Sequence, residues 1–102
     1  MIRTVILYPN TPDGKFDLDY YIKNHIDLVR SSFGDAVVRL SVHKGVSRPN
    51  GDPAPFLVST VVDFRDVDSM TSGMQKHGEE IAKDVSNFTT ITPIVQIEES
   101  II

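Results

Sequence analysis

The stretch from Phe16 to Phe33 places apolar residues at the spacing of an amphipathic helix. At about 100° per residue, one side carries an apolar stripe and the opposite side is polar. Asp17 is suited to cap the first turn, and Gly34 is suited to end the helix. We therefore predict a helix that covers a sheet, with a stripe formed by Leu18, Ile22, His25, Ile26, Val29 and Phe33 and with Tyr21 and Leu28 on its flank.

The rest of the chain predicts four strands and one further helix. Segments 2–8, 36–46, 56–64 and 91–97 are rich in β-branched and aromatic residues, as strands are. Segment 47–55 holds three prolines and an Asn-Gly pair, so it is predicted as a loop. Asp66 is expected to cap a second helix that runs to about Asp84. Its predicted stripe consists of Val67, Met70, Met74, His77, Ile81 and Val85.

This element order, βαββαβ, predicts an α+β fold of the ferredoxin-like type, with a four-stranded antiparallel sheet and two helices on one face. The strands are apolar on both faces: the first strand has Ile6 on one side and Val5 on the other, and the third strand has Val62 on one side and Val61 on the other. The chain supplies helices for only one face. We therefore predict a homodimer in which two sheets pack face to face.

Composition narrows the possible functions. The 102 residues fit one domain, 1–102, and the net charge of -4 without a basic run argues against nucleic-acid binding. No apolar run is long enough for a membrane span, and no export leader is visible, so a cytoplasmic location is expected. The chain has no cysteine, which excludes disulfides, thiol catalysis and thiolate metal sites.

Three segments, LYPNTPDGKFDLDYYIKNHIDLV, PAPF and NFTTITPIVQI, resemble the EthD family of small dimeric α/β-barrel proteins. The most specific matches are Tyr8-Pro9, Phe16-Asp17, Tyr20-Tyr21, His25 and Leu28-Val29. The resemblance implies a ferredoxin-like subunit that pairs through its sheet. The family takes its name from a protein needed in ethyl tert-butyl ether degradation by a monooxygenase system. Similar barrels include cofactor-free monooxygenases, muconolactone isomerases, haem-degrading enzymes and polyketide decarboxylases or dehydratases, so the resemblance implies the fold more firmly than the chemistry.

His25 is the first candidate for chemistry, because a titratable ring stands inside an apolar stripe. It is either a core histidine satisfied by hydrogen bonds or a general acid/base that faces a cavity between helix and sheet. Its place in the motif shared with the family favours the second interpretation. A hydroxyl of Tyr8 or Tyr21 would orient the imidazole or bind a substrate oxygen.

Three further residues are candidates for substrate binding. His77 lies on the stripe of the second helix and could line one cavity together with His25. Met74 suits a hydrophobic pocket, and Asp63 is expected to pair with a cation such as Arg39 if it is buried. No His-x-x-x-His pair or carboxylate cluster predicts a metal site, and no cofactor is expected.

These observations lead to two hypotheses. The first is a small cofactor-free enzyme with oxygenase, isomerase or decarboxylase chemistry on a hydrophobic oxygenated molecule, aromatic or polyketide-like, with His25 as acid/base. The second is a non-catalytic dimer that binds such a ligand or assists an oxygenase or ether-degradation system. The enzyme requires His25 to face a cavity with a second polar group within hydrogen-bond reach, whereas the binding protein requires only the apolar pocket.

Overall fold

Four strands form one antiparallel sheet in the computed structural model, which describes residues 1–102. They are β1 (Ile2–Pro9), β2 (Val37–Lys44), β3 (Phe56–Phe64) and β4 (Ile94–Glu99). Their order in the sheet is β2-β3-β1-β4, so β1 and β3 are central. With a helix after β1 and another after β3, the chain has the predicted βαββαβ order. The α+β, ferredoxin-like fold is therefore confirmed.

Both helices pack on the same face of this sheet. Helix α1 covers residues 18–33 and consists of an α-helical turn (Leu18–Tyr20), a π-helical turn (Tyr21–His25) and an α-helical segment (Ile26–Phe33). Helix α2 is Val67–Asp84. Short 3₁₀ turns, Gly34–Ala36 and Val85–Asn87, follow the two helices. Neither helix is both long enough and apolar enough to cross a membrane.

The ends of the helices follow the predicted signals. The Asp17 carboxylate accepts a hydrogen bond from the backbone N–H of Tyr20 at 3.1 Å, and Asp66 accepts one from Ser69 at 2.7 Å. Gly34 ends α1 with a φ of 53°, a conformation that side chains with a Cβ rarely adopt. The capping predictions are confirmed.

The π-helical turn changes which residues of α1 reach the core. The backbone N–H of Ile26 donates to the carbonyl of Tyr21, five residues earlier, so the turn is wider than an α-helical one. Tyr21 is 1% exposed and Ile22 is 49% exposed. The prediction that Ile22 lies in the buried stripe was wrong, because the wider turn shifts the phase of the helix and brings Tyr21 inward.

The fourth strand begins later than predicted. It starts at Ile94 rather than at 91, because residues 88–90 are tied to the segment before α1. The backbone N–H of Asp17 donates to the Phe88 carbonyl at 2.7 Å, and the Thr89 hydroxyl donates to the Lys15 carbonyl at 2.6 Å. Ile91 is buried in the core instead of pairing with a neighbouring strand. These bonds fix the chain that leaves α2 against the start of α1.

The core consists of two clusters on the helix-covered face. One cluster surrounds the aromatic residues near the π-helical turn: Tyr8, Tyr21, Ile26, Val58, Phe88 and Ile91. The other lies near the opposite end of α1: Ala36, Val62, Phe64 and Met70. Edge-to-face contacts within the first cluster include the pair Tyr8 and Phe16, with ring centroids 5.0 Å apart. The two clusters hold opposite ends of the helix layer on the sheet.

The other face of the sheet carries no helix. Val5 lies opposite Val61, and Leu7 lies between Ser59 of β3 and Ile94 of β4. Next to this apolar patch, the Arg3 guanidinium forms an ion pair with Asp63, with a nitrogen–oxygen distance of 2.7 Å. The predicted apolar character of both sheet faces is therefore present in the subunit.

The two helices meet closely at Gly73 of α2. A Cβ atom at this position would overlap the ring of Phe33, with Cε1 2.5 Å away, and Phe33 is itself held against Phe64 at a centroid distance of 4.9 Å. The helix pair therefore needs a residue without a side chain here.

We expect Gly73→Ala to destabilise the protein. The gain in helix propensity is up to about 1 kcal/mol, whereas forcing the Phe33 ring away from its contacts costs about 1–3 kcal/mol. Urea unfolding would measure the change in the free energy of unfolding. Thr71→Ala, at an exposed position of the same helix, is the control and should be neutral or stabilising. A Gly73→Ala protein more stable than wild type would contradict this account of the helix contact.

Candidate functional site

A cavity of about 230 Å³ lies between the two helices and the sheet. It is bordered by the sheet residues Thr4, Ile6, Tyr8, Thr60, Val62, Phe64 and Val95, by Pro93 before β4, by Tyr21, His25, Ile26, Val29 and Phe33 of α1, and by Met74, Gly78, Ile81, Ala82 and Val85 of α2 and the turn after it. Most of these side chains are apolar. The cavity is therefore suited to a small hydrophobic molecule.

His25 borders the cavity from the π-helical turn of α1. The residue is 5% exposed, and its ring stacks on Tyr21 at a centroid distance of 5.4 Å and contacts Phe88 at 4.7 Å. Its Nδ1 atom lies 2.8 Å from Oδ2 of Asp84, at the end of α2. The ring is held by two aromatic neighbours and by a carboxylate, so its orientation is fixed.

Asp84 is the centre of a small hydrogen-bond network. Besides His25, its carboxylate accepts hydrogen bonds from the Tyr20 hydroxyl at 2.7 Å and from the Asn87 amide at 3.0 Å. Burial by itself would raise the pKa of Asp84, but the hydrogen bonds from Asn87, Tyr20 and His25 and the charge of a protonated His25 outweigh burial and lower it. Asp84 is therefore an ionised hydrogen-bond acceptor at neutral pH.

The second ring nitrogen of His25, Nε2, has no hydrogen-bond partner in the protein, whereas every fully buried side-chain nitrogen or oxygen has one. Nε2 therefore keeps accessible surface, and His25 borders the cavity. A carboxylate that accepts a hydrogen bond from Nδ1–H holds the neutral imidazole in the tautomer with a free electron pair on Nε2. This geometry suits a proton acceptor that faces a bound molecule.

Three residues with hydroxyl groups, Tyr8, Tyr21 and Thr60, border the cavity together with His25. The Tyr21 hydroxyl is 2.6 Å from Oγ1 of Thr60, and the Tyr8 ring contacts Tyr21 edge to face at 5.7 Å. Burial raises the pKa of Tyr8, and the neighbouring Tyr21 raises it further. Burial also raises the pKa of Tyr21, against a smaller lowering by its hydrogen bonds. Both phenols stay protonated at neutral pH and can act as hydrogen-bond donors.

Four of the six residues singled out from the sequence border this cavity: His25, Tyr8, Tyr21 and Met74. His77 does not share the cavity with His25, which corrects that expectation. It lies in a polar groove on the outer side of α2, where its side chain is 39% exposed and Nδ1 is 4.0 Å from Glu80. The next residue, Gly78, faces the cavity instead.

Asp63 also lies away from the cavity. Alternation along β3 places it on the helix-free face, where the hydrogen bond and charge of Arg3 lower its pKa, with a smaller contribution from Arg39. The expected burial and pairing with a cation are present, although the hydrogen-bonded cation is Arg3. Asp63 therefore belongs to the open sheet face and not to the ligand cavity.

Asp84, Tyr20 and Thr60 were missed by sequence reasoning. The alternation of β3 would have placed Thr60 on the same face as Val58 and Val62, so its position was readable. Asp84 carried no such signal, because a carboxylate at the end of a helix usually faces solvent. Tyr20 reaches Asp84 across the space between the helices, which a helical projection of α1 alone cannot show.

No group of three or more histidine, aspartate or glutamate side chains is close enough to hold a metal ion.

Comparisons with solved structures show closely similar folds. An EthD-like protein from Ralstonia eutropha JMP134 superposes with a TM-score of 0.91 and 30% sequence identity, covering 99% of this chain and 92% of that chain. An ethyl tert-butyl ether degradation (EthD) family protein from Bacillus halodurans C-125 gives a TM-score of 0.77 at 21% identity, with 99% of both chains covered. No protein-family model matches the chain, and no curated protein matches it at a significant level.

A more distant similarity is to SnoaB from Streptomyces nogalater, a cofactor-independent oxygenase. The TM-score is 0.63 at 10% identity, and the alignment covers 99% of this chain and 93% of that chain. At this identity the likeness concerns the fold alone.

The lowered pKa of Asp84 gives a testable pH dependence. Because its pKa in the folded protein lies below the ordinary value of 3.8, the ionised carboxylate stabilises the fold above that value, and this contribution is lost as the pH falls through the lowered pKa. We expect the free energy of unfolding of Asp84→Asn to fall less steeply than that of wild type between about pH 4 and pH 2.

Urea titrations at several pH values would measure this difference. Asp63 and Asp66 also have lowered pKa values, but they contribute equally to both proteins and cancel in the comparison. Identical slopes for wild type and Asp84→Asn would show that the network around Asp84 does not hold the ionised carboxylate.

Proposed function

Because this chain belongs to the EthD-like family, we propose that it is a small cofactor-free enzyme in which His25 transfers a proton to or from a hydrophobic, oxygenated molecule. The family relation defines the fold and leaves the reaction open. The observation that carries the proposal is the hydrogen bond from His25 to Asp84 at the wall of an apolar cavity. The Asp84 carboxylate is the second polar group within hydrogen-bond reach that a catalytic histidine requires.

The distribution of polar groups defines the kind of ligand. Tyr8, Tyr21 and Thr60, which carry hydroxyl groups, border the cavity together with His25, whereas the walls formed by Val29, Met74, Ile81 and Val95 are apolar. A ligand that complements both the hydroxyl-bearing and the apolar parts of the cavity wall has an oxygen-containing group at one end and an apolar body. Phenols, enols and β-dicarbonyl compounds of aromatic or polyketide-like structure have this form.

The proposed step is the removal of a proton from the ligand by Nε2 of His25. The proton leaves a phenolic O–H or a C–H next to a carbonyl, and its electron pair remains on the ligand as a phenolate or enolate. Asp84 keeps the imidazole oriented and stabilises the imidazolium that forms. In the proposed step, a protonated hydroxyl of Tyr8 or Tyr21, both of which border the cavity, donates to the ligand oxygen on which charge develops.

The electron-rich ligand anion is an intermediate common to the three reaction types under consideration. It isomerises when the proton returns at another carbon. It is formed directly when a β-keto acid loses carbon dioxide, and it is the form that reacts with molecular oxygen. The apolar cavity walls support each reaction by limiting access of water to the anion.

We also propose that the subunit forms a homodimer through the helix-free face of its sheet. Val5, Leu7 and Val61 form a half-buried apolar patch there, beside the ion pair of Arg3 and Asp63. Packing a second sheet on this patch would remove apolar surface from water and cover the buried carboxylate and its cation.

We expect His25→Ala to reduce turnover by roughly 10²–10⁴-fold, because it removes the proton acceptor. Substrate would be sought by incubating the protein with phenols, hydroquinones and β-keto acids and following their loss by mass spectrometry. His77→Ala removes a histidine outside the cavity and should retain full activity.

Full turnover by His25→Ala would contradict the proposed role of the histidine. Tight binding of a ligand by wild type without turnover of any member of the panel would identify the protein as the non-catalytic binding or accessory protein.

We expect Val61→Glu to convert the dimer into a monomer, because it places an uncompensated charge in the centre of the proposed sheet-to-sheet interface. Sedimentation equilibrium at micromolar concentration would measure the mass of wild type and variant. Val67→Glu introduces the same charge at an exposed position of α2, far from this face, and should leave the dimer intact. A wild-type protein that sediments as a monomer would overturn the dimer proposal.

A further inference from the structure

Helix α2 contains two interior glycines, Gly73 and Gly78, although glycine is unfavourable within a helix. Neither has a positive φ, since only Gly34 and Gly51 do, so the backbone conformation does not require glycine at these two positions. Each therefore needs another explanation. For Gly73 the explanation is the close contact with the Phe33 ring.

Gly78 has no such contact. A Cβ atom at this position would find one heavy atom within 4 Å, the terminal Cε of Met74 at 3.3 Å. Gly78 borders the cavity, so the missing side chain leaves space in the cavity rather than room for a packed neighbour. A residue that weakens its helix without serving the packing is a candidate for a role in ligand recognition.

The cavity opens to solvent on the same side. Met74, one turn before Gly78, borders the cavity and is 52% exposed, and Val95 of β4 borders it and is 54% exposed. Methionine is flexible and adapts to the shape of a neighbour. Gly78 therefore lies at the rim of an opening between α2 and β4, with a movable side chain beside it.

The position of Gly78 along α2 relates it to the proposed reacting end of the ligand. Gly78 is six residues before Asp84, which corresponds to about 9 Å along the helix axis. A single six-membered ring held at His25 does not extend this far, whereas two fused rings or a chain of similar length approach this part of the wall.

We infer that Gly78, together with Met74, determines ligand size by leaving room for an apolar body of at least two rings that extends from His25 toward the opening between α2 and β4. The inference rests on the proposed function, since it takes the oxygen of the ligand to be bound at His25. It assigns to Gly78 a role in specificity and none in the proton transfer.

The test compares phenol with 2-naphthol as ligands of wild type, Gly78→Ala and Gly78→Leu. Chemical-shift titrations in ¹H–¹⁵N NMR spectra would give the dissociation constants and report whether each variant is folded. Thr71→Ala and Thr71→Leu make matched substitutions at an exposed position of α2 and control for helix propensity.

We expect wild type to bind 2-naphthol more tightly than phenol. Gly78→Leu should weaken 2-naphthol binding by about tenfold or more and change phenol binding by less than about twofold, with Gly78→Ala in between. Gly78→Ala should also raise the Tm by on the order of 5 °C. Alanine has a higher helix propensity than glycine, and its Cβ would contact only the flexible end of the Met74 side chain. If Gly78→Leu does not fold, Gly78→Ala decides the question.

Two results would overturn the inference in distinguishable ways. Equal weakening of both ligands, or of neither, in folded Gly78 variants would refute the role of Gly78 and leave the proposed function standing. Failure of wild type to bind either ligand would refute the ligand cavity of the proposed function, and the inference with it.

Discussion

The hydrogen bond between His25 and Asp84 joins the two helices across the cavity, and much of the site depends on it. The helices run antiparallel and also meet at Phe33 and Gly73, so contacts at two separated points hold them to each other. The residues between these contacts, including Val29 and Gly78, do not fill the space above the sheet. The cavity is therefore a consequence of how the helix pair is held, and the bond that supports it also orients the imidazole.

This arrangement is supported by the aromatic cluster around the π-helical turn. Phe88 contacts His25 on one side and Tyr21 on another, and its carbonyl is bound by the N–H of Asp17 at the start of α1. Favourable aromatic pairs contribute about 0.5–1.5 kcal/mol each beyond their buried area. The cluster therefore offsets part of the cost of placing a polar ring in the core, and it fixes the end of α2 from which Asp84 projects.

The sequence was sufficient for the fold because each element carries its own local signal. Strand alternation, the caps at Asp17 and Asp66 and the stop at Gly34 depend on residues close to each other in the chain. The site depends on partners far apart, such as His25 and Asp84, and helical periodicity contains no information about them. The π-helical turn and the burial of Ile91 were also missed, because both arise from packing between the two halves of the chain. His77 looked equivalent to His25 on a helical projection, yet Gly78 borders the cavity and His77 lies outside it.

Asp63, which is buried, and Asp84, which is half-buried, illustrate why one site is a candidate for chemistry and the other is not. Asp63 and Asp84 both have lowered pKa values and both accept hydrogen bonds from cationic or titratable partners. The partner of Asp63 is a guanidinium, which stays charged at any physiological pH and therefore does not act as a proton donor or acceptor. The partner of Asp84 is an imidazole, whose second nitrogen has no hydrogen-bond partner in the protein and lies beside an apolar cavity. The same carboxylate chemistry therefore serves a permanent ion pair on the sheet face and an imidazole at the cavity wall, and the two sites differ in the partner of the carboxylate and in the cavity beside it.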